Sequence, residues 1–541
     1  MMNTTTHNSN SISWILFLLV LVTVAFLHGY GINKLVLNSD ELHPARAIVG
    51  DDWDLSYSPW PEEAVREYYK DWPVQFPPLF GVLSRLSVVV WQDAPGALRL
   101  WPTIFSVLAV AAAWFLFRCR LPALLAGVAT LLLGVVSDKL MYYSKFFKHY
   151  TADVFLTALL VLLTLHLLKK NHWHLWLFFA LTASIGLWLG FASVYVSGAC
   201  FLVLLLDRLT KRDVSASSLA KFGLAALLFF ISFGVLFKLT ISTAVSNPIF
   251  IREWQMQIFN LEQISDLNYV VRFLGRAAFH VLLLPYYFFF DSWVIAVLAN
   301  ALIFVWVIQK IRNRRFDHVL ITVVPLVLVI LAAFLGKYPF SAGRLSLFLL
   351  PLWVWMMVEG FYYVQSAVAK RFGPAQYALS AVLVGAVFFG FYINFTRVLD
   401  LDYGGGRRVD LLYDTLSENA QDNDTVFLHW GAILPFYYYF TDHQAGFQNE
   451  YAIPGSPQDT VQIIYGEEHS LTGNYESMYQ KISAVDGRLW VSFCHLWPQQ
   501  DMWDLVEFLN SWRGRPREYE FKGCKLLLYE AQPTVSTPTE H

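Results

Sequence analysis

Charge is scarce in this chain of 541 residues: 15% of them are Asp, Glu, Lys or Arg, against 56% hydrophobic and 17% aromatic. That balance excludes an ordinary soluble protein. Positive charge is not in excess either. The formal net charge is −2, which leaves no domain-wide basic face to neutralise phosphates, and no nucleic-acid partner is expected. Cysteine is rare, four in all. Cys119 and Cys200 fall in or near apolar runs, whereas Cys494 and Cys524 fall in the C-terminal region, where a disulfide and two buried thiols both remain open. There is no P-loop, no GxGxxG, no HExxH and no usefully placed CxxC pair, so nucleotide hydrolysis and zinc chemistry lack support. Neither internal repeats nor low-complexity stretches occur, apart from the polar tails "MMNTTTHNSN" and "QPTVSTPTEH".

What the chain does have is long apolar runs. A hydrocarbon core needs roughly 20 apolar residues per helix, and about eleven windows reach that length. The first is "SWILFLLVLVTVAFLHGYGI", Ser13 to Ile32; it lacks a positive n-region and a small-residue cleavage site, so a retained helix is expected rather than a signal peptide. Basic residues fall in alternate loops: Arg118 and Arg120, Lys169 and Lys170, Arg208 with Lys211 and Arg212, "QKIRNRR", and "AKR". The positive-inside rule makes that side cytoplasmic. An odd number of spans then puts the N-terminus in the cytoplasm and everything after about Thr396 outside.

The expected fold is mainly α: a polytopic transmembrane helical domain over residues 1–398, followed by an extracytoplasmic α/β domain over 399–541. Two outer loops are expected, over about 33–96 and 240–290. "FIREWQMQIFNLEQISDLNYVVRFLGRAAFHVLLLPYYFF" mixes polar and apolar positions at helical spacing, which suits an interface helix better than a span. From about Leu399 the composition becomes that of a soluble protein, with strands and helices alternating: "TVFLHW", "TVQIIYG" and "RLWVSFCHL" as strands, "DLLYDTLSENA" and "QQDMWDLVEFLNSW" as helices, and "YEFKGCKLLLYEA" as a closing strand or hairpin.

Three polar constellations fall on the outer side. In "LNSDELHPAR", Asp40 and Glu41 follow the first span, with His43 behind them. A carboxylate there can take a proton from an acceptor, provided it is within hydrogen-bond reach; the competing reading is an acidic cluster marking a helix end. In "YYSKFFKHYTADVF", Lys145, Lys148, His149 and Tyr150 precede the fourth span. Outer lysines run against the positive-inside trend, and an anionic ligand such as a lipid phosphate would explain them, as would snorkelling. In "KYPFSAGRLSLFLLP", Lys337 and Arg344 bracket a short loop, and Arg344 could fork onto a phosphate or anchor at the interface. Arg272, Arg276 and His280 are further candidates on the long loop.

In order and sidedness, "SDE", "KFFKHY", "YPFSAGRLSLFLLP" and an outer α/β domain resemble the polytopic membrane glycosyltransferases of the GT-C superfamily. More particularly they resemble the family (glycosyltransferase family 39-like) of protein O-mannosyltransferases and lipid A aminoarabinose transferase. The resemblance implies a polyprenyl-phosphate sugar as donor, a lipid, glycan or protein as acceptor, membrane lipids as surroundings, and inversion at the anomeric carbon. It implies Asp40 as general base, Glu41 as its partner or an acceptor ligand, and Lys145, Lys148 and Arg344 as stabilisers of the leaving phosphate. "KHY" stands where related enzymes often carry a basic residue, proline and tyrosine, which leaves the role of His149 open. Some members of the superfamily use a divalent metal; with no clear ligand set beyond the two acids, no cofactor is expected. A prokaryotic cytoplasmic membrane is the expected location, since no organelle retention signal is seen at the C-terminus. A transporter or flippase and a non-catalytic binding subunit are the competing classes, the first weakened by the lack of repeated halves.

Overall fold

A computed structural model describes residues 5–32, 41, 77–91, 94–211, 215–242, 254 and 257–400. Of the C-terminal part it describes 409–421, 424–429, 432, 462–465, 479–480, 482–494, 500–521 and 524–531. The described residues fall into two compact units. One is drawn from Met1–Ile32, Tyr68–Leu86 and Leu98–Leu401, the other from Asn33–Glu67, Ser87–Ala97 and Asp402–His541.

The first unit is a helical bundle. Its helices are α1 (Thr5–Gly29), α2 (Pro78–Trp91), α3 (Ala94–Arg118), α4 (Ala123–Leu131), α5 (Asp138–Ser144), α6 (Tyr150–Leu167) and α7 (Trp173–Leu189). They continue as α8 (Ser193–Lys211), α9 (Ala216–Leu236), α10 (Leu267–Phe288), α11 (Trp293–Arg312), α12 (Phe316–Phe334), α13 (Leu350–Phe372) and α14 (Ala375–Leu399). Among the described residues nine helices are long and apolar enough to cross a membrane, or ten if α4 and α5, bent by 57° at Ser137, form one broken span. The chain is a multi-pass membrane protein.

A π-turn over Leu132–Val136 ends α4 and frees carbonyls that a regular helix would have used. Neighbouring helices satisfy them: Asn394 of α14 donates to Val135 O and Val136 O at 2.7 and 3.1 Å, and a ring nitrogen of His28 in α1 lies 2.7 Å from Gly134 O. In hydrocarbon no water could do this. Helix α13 packs on α11 closely enough that a Cβ at Gly360 would strike the carbonyl of Leu302. Small residues allow such approaches between spans.

The ends of the bundle can be told apart. Arg120, in the turn after α3, feels the charge of Arg315, in the turn before α12, and Lys169 acts on Cys119. Lys211 Nζ donates to Leu168 O at 3.2 Å. The basic turns therefore gather at one end. The turn at Ser137 and the loop 335–343 lie at the other, since α4 and α12 each run away from that basic end.

Helix α10 has the length and hydropathy of a span, although the sequence suggested an interface helix. Its contacts explain the difference. Near its start, Phe273 packs on Phe334 with ring centroids 6.1 Å apart, and Phe259 stacks on Phe334 at 4.5 Å; at its finish, Phe288 O accepts from Ser137 Oγ at 3.1 Å. Both ends of α10 are thus tied to segments at the same, non-basic end of the bundle, so its length alone does not make it a span.

In the second unit a five-stranded sheet has the order β2-β1-β3-β5-β4, with β1 Thr425–Leu428, β2 Gln462–Tyr465, β3 Leu489–Cys494, β4 Arg517–Phe521 and β5 Cys524–Tyr529. β1 lies parallel to β2 and β3, while β5 runs antiparallel to β3 and β4. Helices α15 (Val409–Asn419) and α16 (Gln500–Arg513) accompany it. Phe427, Val491, Leu505, Leu509, Leu527 and Tyr529 belong to its core. Trp490 Nε1 donates to Asp424 Oδ2 at 2.7 Å. Cys494 and Cys524 stand opposite each other in the β3–β5 register, both buried and not joined by a disulfide. "AILPFYYYF", whose sequence reads as a further helix of this domain, lies almost wholly outside the described residues.

Candidate functional site

At the non-basic end of the bundle, the broken connection α5–α6 folds its polar residues inward. The side chain of Ser137 caps α5 by accepting from Leu140 N at 3.3 Å, and Lys145 closes it, its amide bonding to Tyr142 O at 3.1 Å. The five residues between the helices form a tight turn, in which Lys148 N reaches Phe146 O at 2.7 Å. A turn this short carries Lys145, Lys148 and His149 into the interior together. They are 3%, 6% and 6% exposed, and Tyr150 is buried beside them.

Each has identifiable surroundings. Lys145 Nζ donates to Tyr30 O at 2.6 Å, and buried Arg99 donates to Ile32 O at 3.2 Å. Burial, with the Arg99 charge nearby, pushes the Lys145 ammonium down to about 7. Burial and the charge of Lys148 hold His149 at about 3, so its imidazole is neutral. That ring lies against Phe80, Tyr150 and Phe191, with Nε2 3.6 Å from Asp153 Oδ2. Asp153 is fixed in turn: its Oδ1 accepts from Ala192 N at 3.0 Å, at the start of α8.

Tyrosines extend the cluster. Tyr143 and Tyr287 hydroxyls are 3.1 Å apart, and Tyr143 packs edge-on to Tyr150 at 5.1 Å. Tyr338 donates to Leu345 O at 3.1 Å and meets the ring of Tyr195 at 5.2 Å. Burial, with Tyr195, Asp153 and Tyr150 close by, raises the Tyr338 phenol well above its ordinary value. Arg344 opens a 3-10 turn, Arg344–Leu349, that packs on α5 and α6; its guanidinium lies 5.9 Å from the Trp254 ring, and its charge reaches Tyr287. The two basic segments, nearly 200 residues apart, thus share one tyrosine-rich neighbourhood.

Of the residues expected from the sequence, the structure brings Lys145, Lys148, His149, Tyr150 and Arg344 together. Arg272, Arg276 and Lys337 are exposed, outside the buried cluster. Glu41 is buried and belongs to the second unit, whereas Asp40 and His43 lie outside the described residues. Arg99, Asp153, Tyr143, Tyr287 and Tyr338 were missed. A signal existed for Asp153, an ionisable residue inside an apolar window, where such groups are costly. Among the described residues no group of three or more metal-ligating side chains gathers. Chemically, the cluster is a water-poor, basic, phenol-lined site suited to an anion carried on an apolar body.

The sequence matches no known family profile, and no curated protein matches at a significant level. Solved structures match with 12–13% identity. ArnT from Cupriavidus metallidurans in the apo state is 13% identical over 96% of this chain and 98% of that one, with a TM-score of 0.49. The same protein bound to undecaprenyl phosphate is 12% identical over 95% and 97%, with a TM-score of 0.47. The Archaeoglobus fulgidus oligosaccharyltransferase in the apo form is 12% identical over 97% of this chain and 75% of that one, with a TM-score of 0.46. At such scores these likenesses lend no weight to a functional assignment.

Proposed function

We propose that this chain is a membrane glycosyltransferase that moves a sugar from a polyprenyl-phosphate-linked donor to an acceptor on the extracytoplasmic side, with inversion. The observation that carries the proposal is the burial of Lys145 and Lys148 in one turn beside a tyrosine-rich, Arg344-bearing neighbourhood at the non-basic end of a membrane bundle. Two ammonium groups and a guanidinium gathered on neighbouring segments match the charge and oxygen geometry of a lipid phosphate entering from the bilayer.

In the proposed reaction an acceptor hydroxyl or amine attacks the anomeric carbon from the face opposite the phosphate. Its proton passes to the Asp40 carboxylate as the new bond forms. The bond from the anomeric carbon to the phosphate oxygen breaks, and its electron pair stays on that oxygen. The phosphate gains negative charge in that step, so Lys145, Lys148 and Arg344 stabilise the transition state more than the ground state. Glu41 would orient the acceptor. Neutral His149, packed among Phe80, Tyr150 and Phe191, would position rather than transfer protons.

Purified protein in nanodiscs, given a panel of radiolabelled polyprenyl-phosphate sugars, tests the proposal. One donor should lose its sugar to acceptor or water, and Asp40→Asn should slow that by about 10²–10⁴-fold, the range for general-base loss. Turnover unchanged in Asp40→Asn would remove the base assignment; no donor bound or consumed by the wild type would remove the transferase.

A further inference from the structure

Two cysteines of the C-terminal sheet meet in a way that the proposed reaction does not use. Cys494 ends β3 and Cys524 begins β5, and the antiparallel register sets them directly opposite each other. Side chains of directly opposite residues leave the sheet on the same face. Here it is the face turned away from α16, whose Leu505 and Leu509 pack with Val491, Phe493 and Leu527 on the other. Cys494 is 1% exposed and Cys524 not at all.

The backbone hydrogen bonds say which kind of pair this is. Along a strand the N–H and C=O of one residue point to the same neighbour, and those of the next residue to the other. Thr425 N donates to Arg488 O and His429 N to Ser492 O, each at 3.0 Å, so the even-numbered positions here turn their backbone groups toward β1. Cys494 shares that parity and turns its own away from β5. The β4–β5 pairing leads to the same result. Phe521 pairs with Cys524, and only Lys522 and Gly523 separate them in sequence. The pair that closes a two-residue hairpin is a hydrogen-bonded one, so Cys524 spends its backbone groups on β4 and not on β3. Cys494 and Cys524 are therefore a non-hydrogen-bonded pair, the kind whose Cα atoms lie about 4.5 Å apart with side chains at their closest. A disulfide spans Cα separations of roughly 4.4–6.8 Å.

We propose that Cys494 and Cys524, unjoined in this structure, close a cross-strand disulfide when the domain folds outside the cytoplasm. The inference rests on the extracytoplasmic orientation in the reading above, because disulfides persist on that side of the membrane. The oxidant is a disulfide carried by a protein or a small molecule. One cysteine thiolate attacks it, forming a mixed disulfide and releasing one thiol; the other cysteine thiolate then displaces the second. The two cysteines lose two protons and two electrons, and the oxidant leaves as two thiols. Exchange precedes packing, since the finished fold covers both residues, and the same burial then shields the bond from reductants. The bond ties β3 to β5 around a segment that carries α16 and β4, which narrows the unfolded ensemble.

Counting thiols on the full chain tests this. Membranes from growing cells are quenched in acid, unfolded in detergent and alkylated with a maleimide-polyethylene glycol, before or after reduction. Of the four cysteines, wild type should take two adducts before reduction and four after. The double variant Cys119→Ser, Cys200→Ser should take none before and two after, which assigns the bond; Cys494→Ser should take three in both. Protease added to intact spheroplasts reads the orientation separately. Four adducts on unreduced wild type whose C-terminal domain is cut from outside overturn the disulfide and leave the orientation standing. Four adducts on protein whose domain is protected overturn both. Two adducts on the unreduced double variant overturn the pairing whatever the wild type shows.

Discussion

Asp153 accepts the amide hydrogen of Ala192 at 3.0 Å across the turn that joins α7 to α8, and Gly190 is what leaves room for it. A Cβ at Gly190 would collide with that carboxylate. The glycine is required by close approach and not by its backbone angles, since its φ of −158° is open to any residue. Gly190→Ala should therefore lower stability by about 1–3 kcal/mol, the usual cost of overpacking a buried site. Adding Asp153→Ala removes the clash, so the double variant should lose less than the sum of the two single losses. Thermal unfolding in detergent of the four proteins reads the coupling; strict additivity would mean the two residues do not share the space.

The lysines and the arginine of the candidate site should differ in how they tolerate change. Arg344→Lys keeps the charge but gives up the planar fork and its stacking over Trp254, 5.9 Å away. Donor binding should weaken about tenfold, with the larger share in release. Lys148→Gln should cost at least as much, because the ammonium is buried and its loss removes a charge at short range. Binding of a phosphodiester donor analogue, followed by surface plasmon resonance on nanodiscs, tests both. Affinity unchanged in Lys148→Gln would separate that lysine from the donor.

The clustering of Lys145, Lys148 and His149 was legible because five residues between two helices cannot spread far. The junction of that turn with Arg344 was not, because hydropathy says where helices run and not which helices meet. Asp153 looked like part of a span; only the start of α8, folded back against it, gives the carboxylate its partners. Helix α10 shows a different limit. Its hydropathy is that of a span, yet Phe273 and Phe288 tie both its ends to the same end of the bundle, a fact carried by packing alone. The small sheet was legible through its apolar runs, though the swap of β4 and β5 in spatial order was not.

The pair Lys310–Glu359 should be sensitive to removal of either partner and tolerant of removal of both. The side chains are 4% and 8% exposed. Glu359→Gln leaves a buried ammonium beside a neutral amide, and a loss of about 3 kcal/mol or more is expected. Lys310→Met combined with Glu359→Leu removes both charges and should recover most of it, since buried ion pairs seldom outdo apolar side chains of like volume. Thermal unfolding measures the difference; a double variant as weak as Glu359→Gln would show that the Trp306 and Tyr363 bonds to Glu359 matter more than its charge.

Lys145 gives the site a pH dependence whose sign can be worked out. Its ammonium is shifted from an ordinary 10.5 to about 7 by burial and Arg99. Below 7 the group is protonated both folded and unfolded. Between about 7 and 10.5 the unfolded chain holds a proton that the folded chain has shed, so this group makes the fold more stable as pH rises through that window. Binding runs the other way. A phosphate anion at Lys145 prefers the protonated form, so donor affinity should be greatest below pH 7 and fall by up to about tenfold per unit above it, until the lysine pKa of the complex is reached. A phosphodiester analogue is the right probe, because a phosphomonoester gains charge near pH 6 and would mask the trend. His149, held at about 3, contributes nothing over this range. Lys145→Gln should flatten the profile between pH 6 and 9 while lowering affinity at the acid end. A slope that survives in Lys145→Gln would assign the proton to another group, and the Lys145 contact with the donor phosphate would have to be given up.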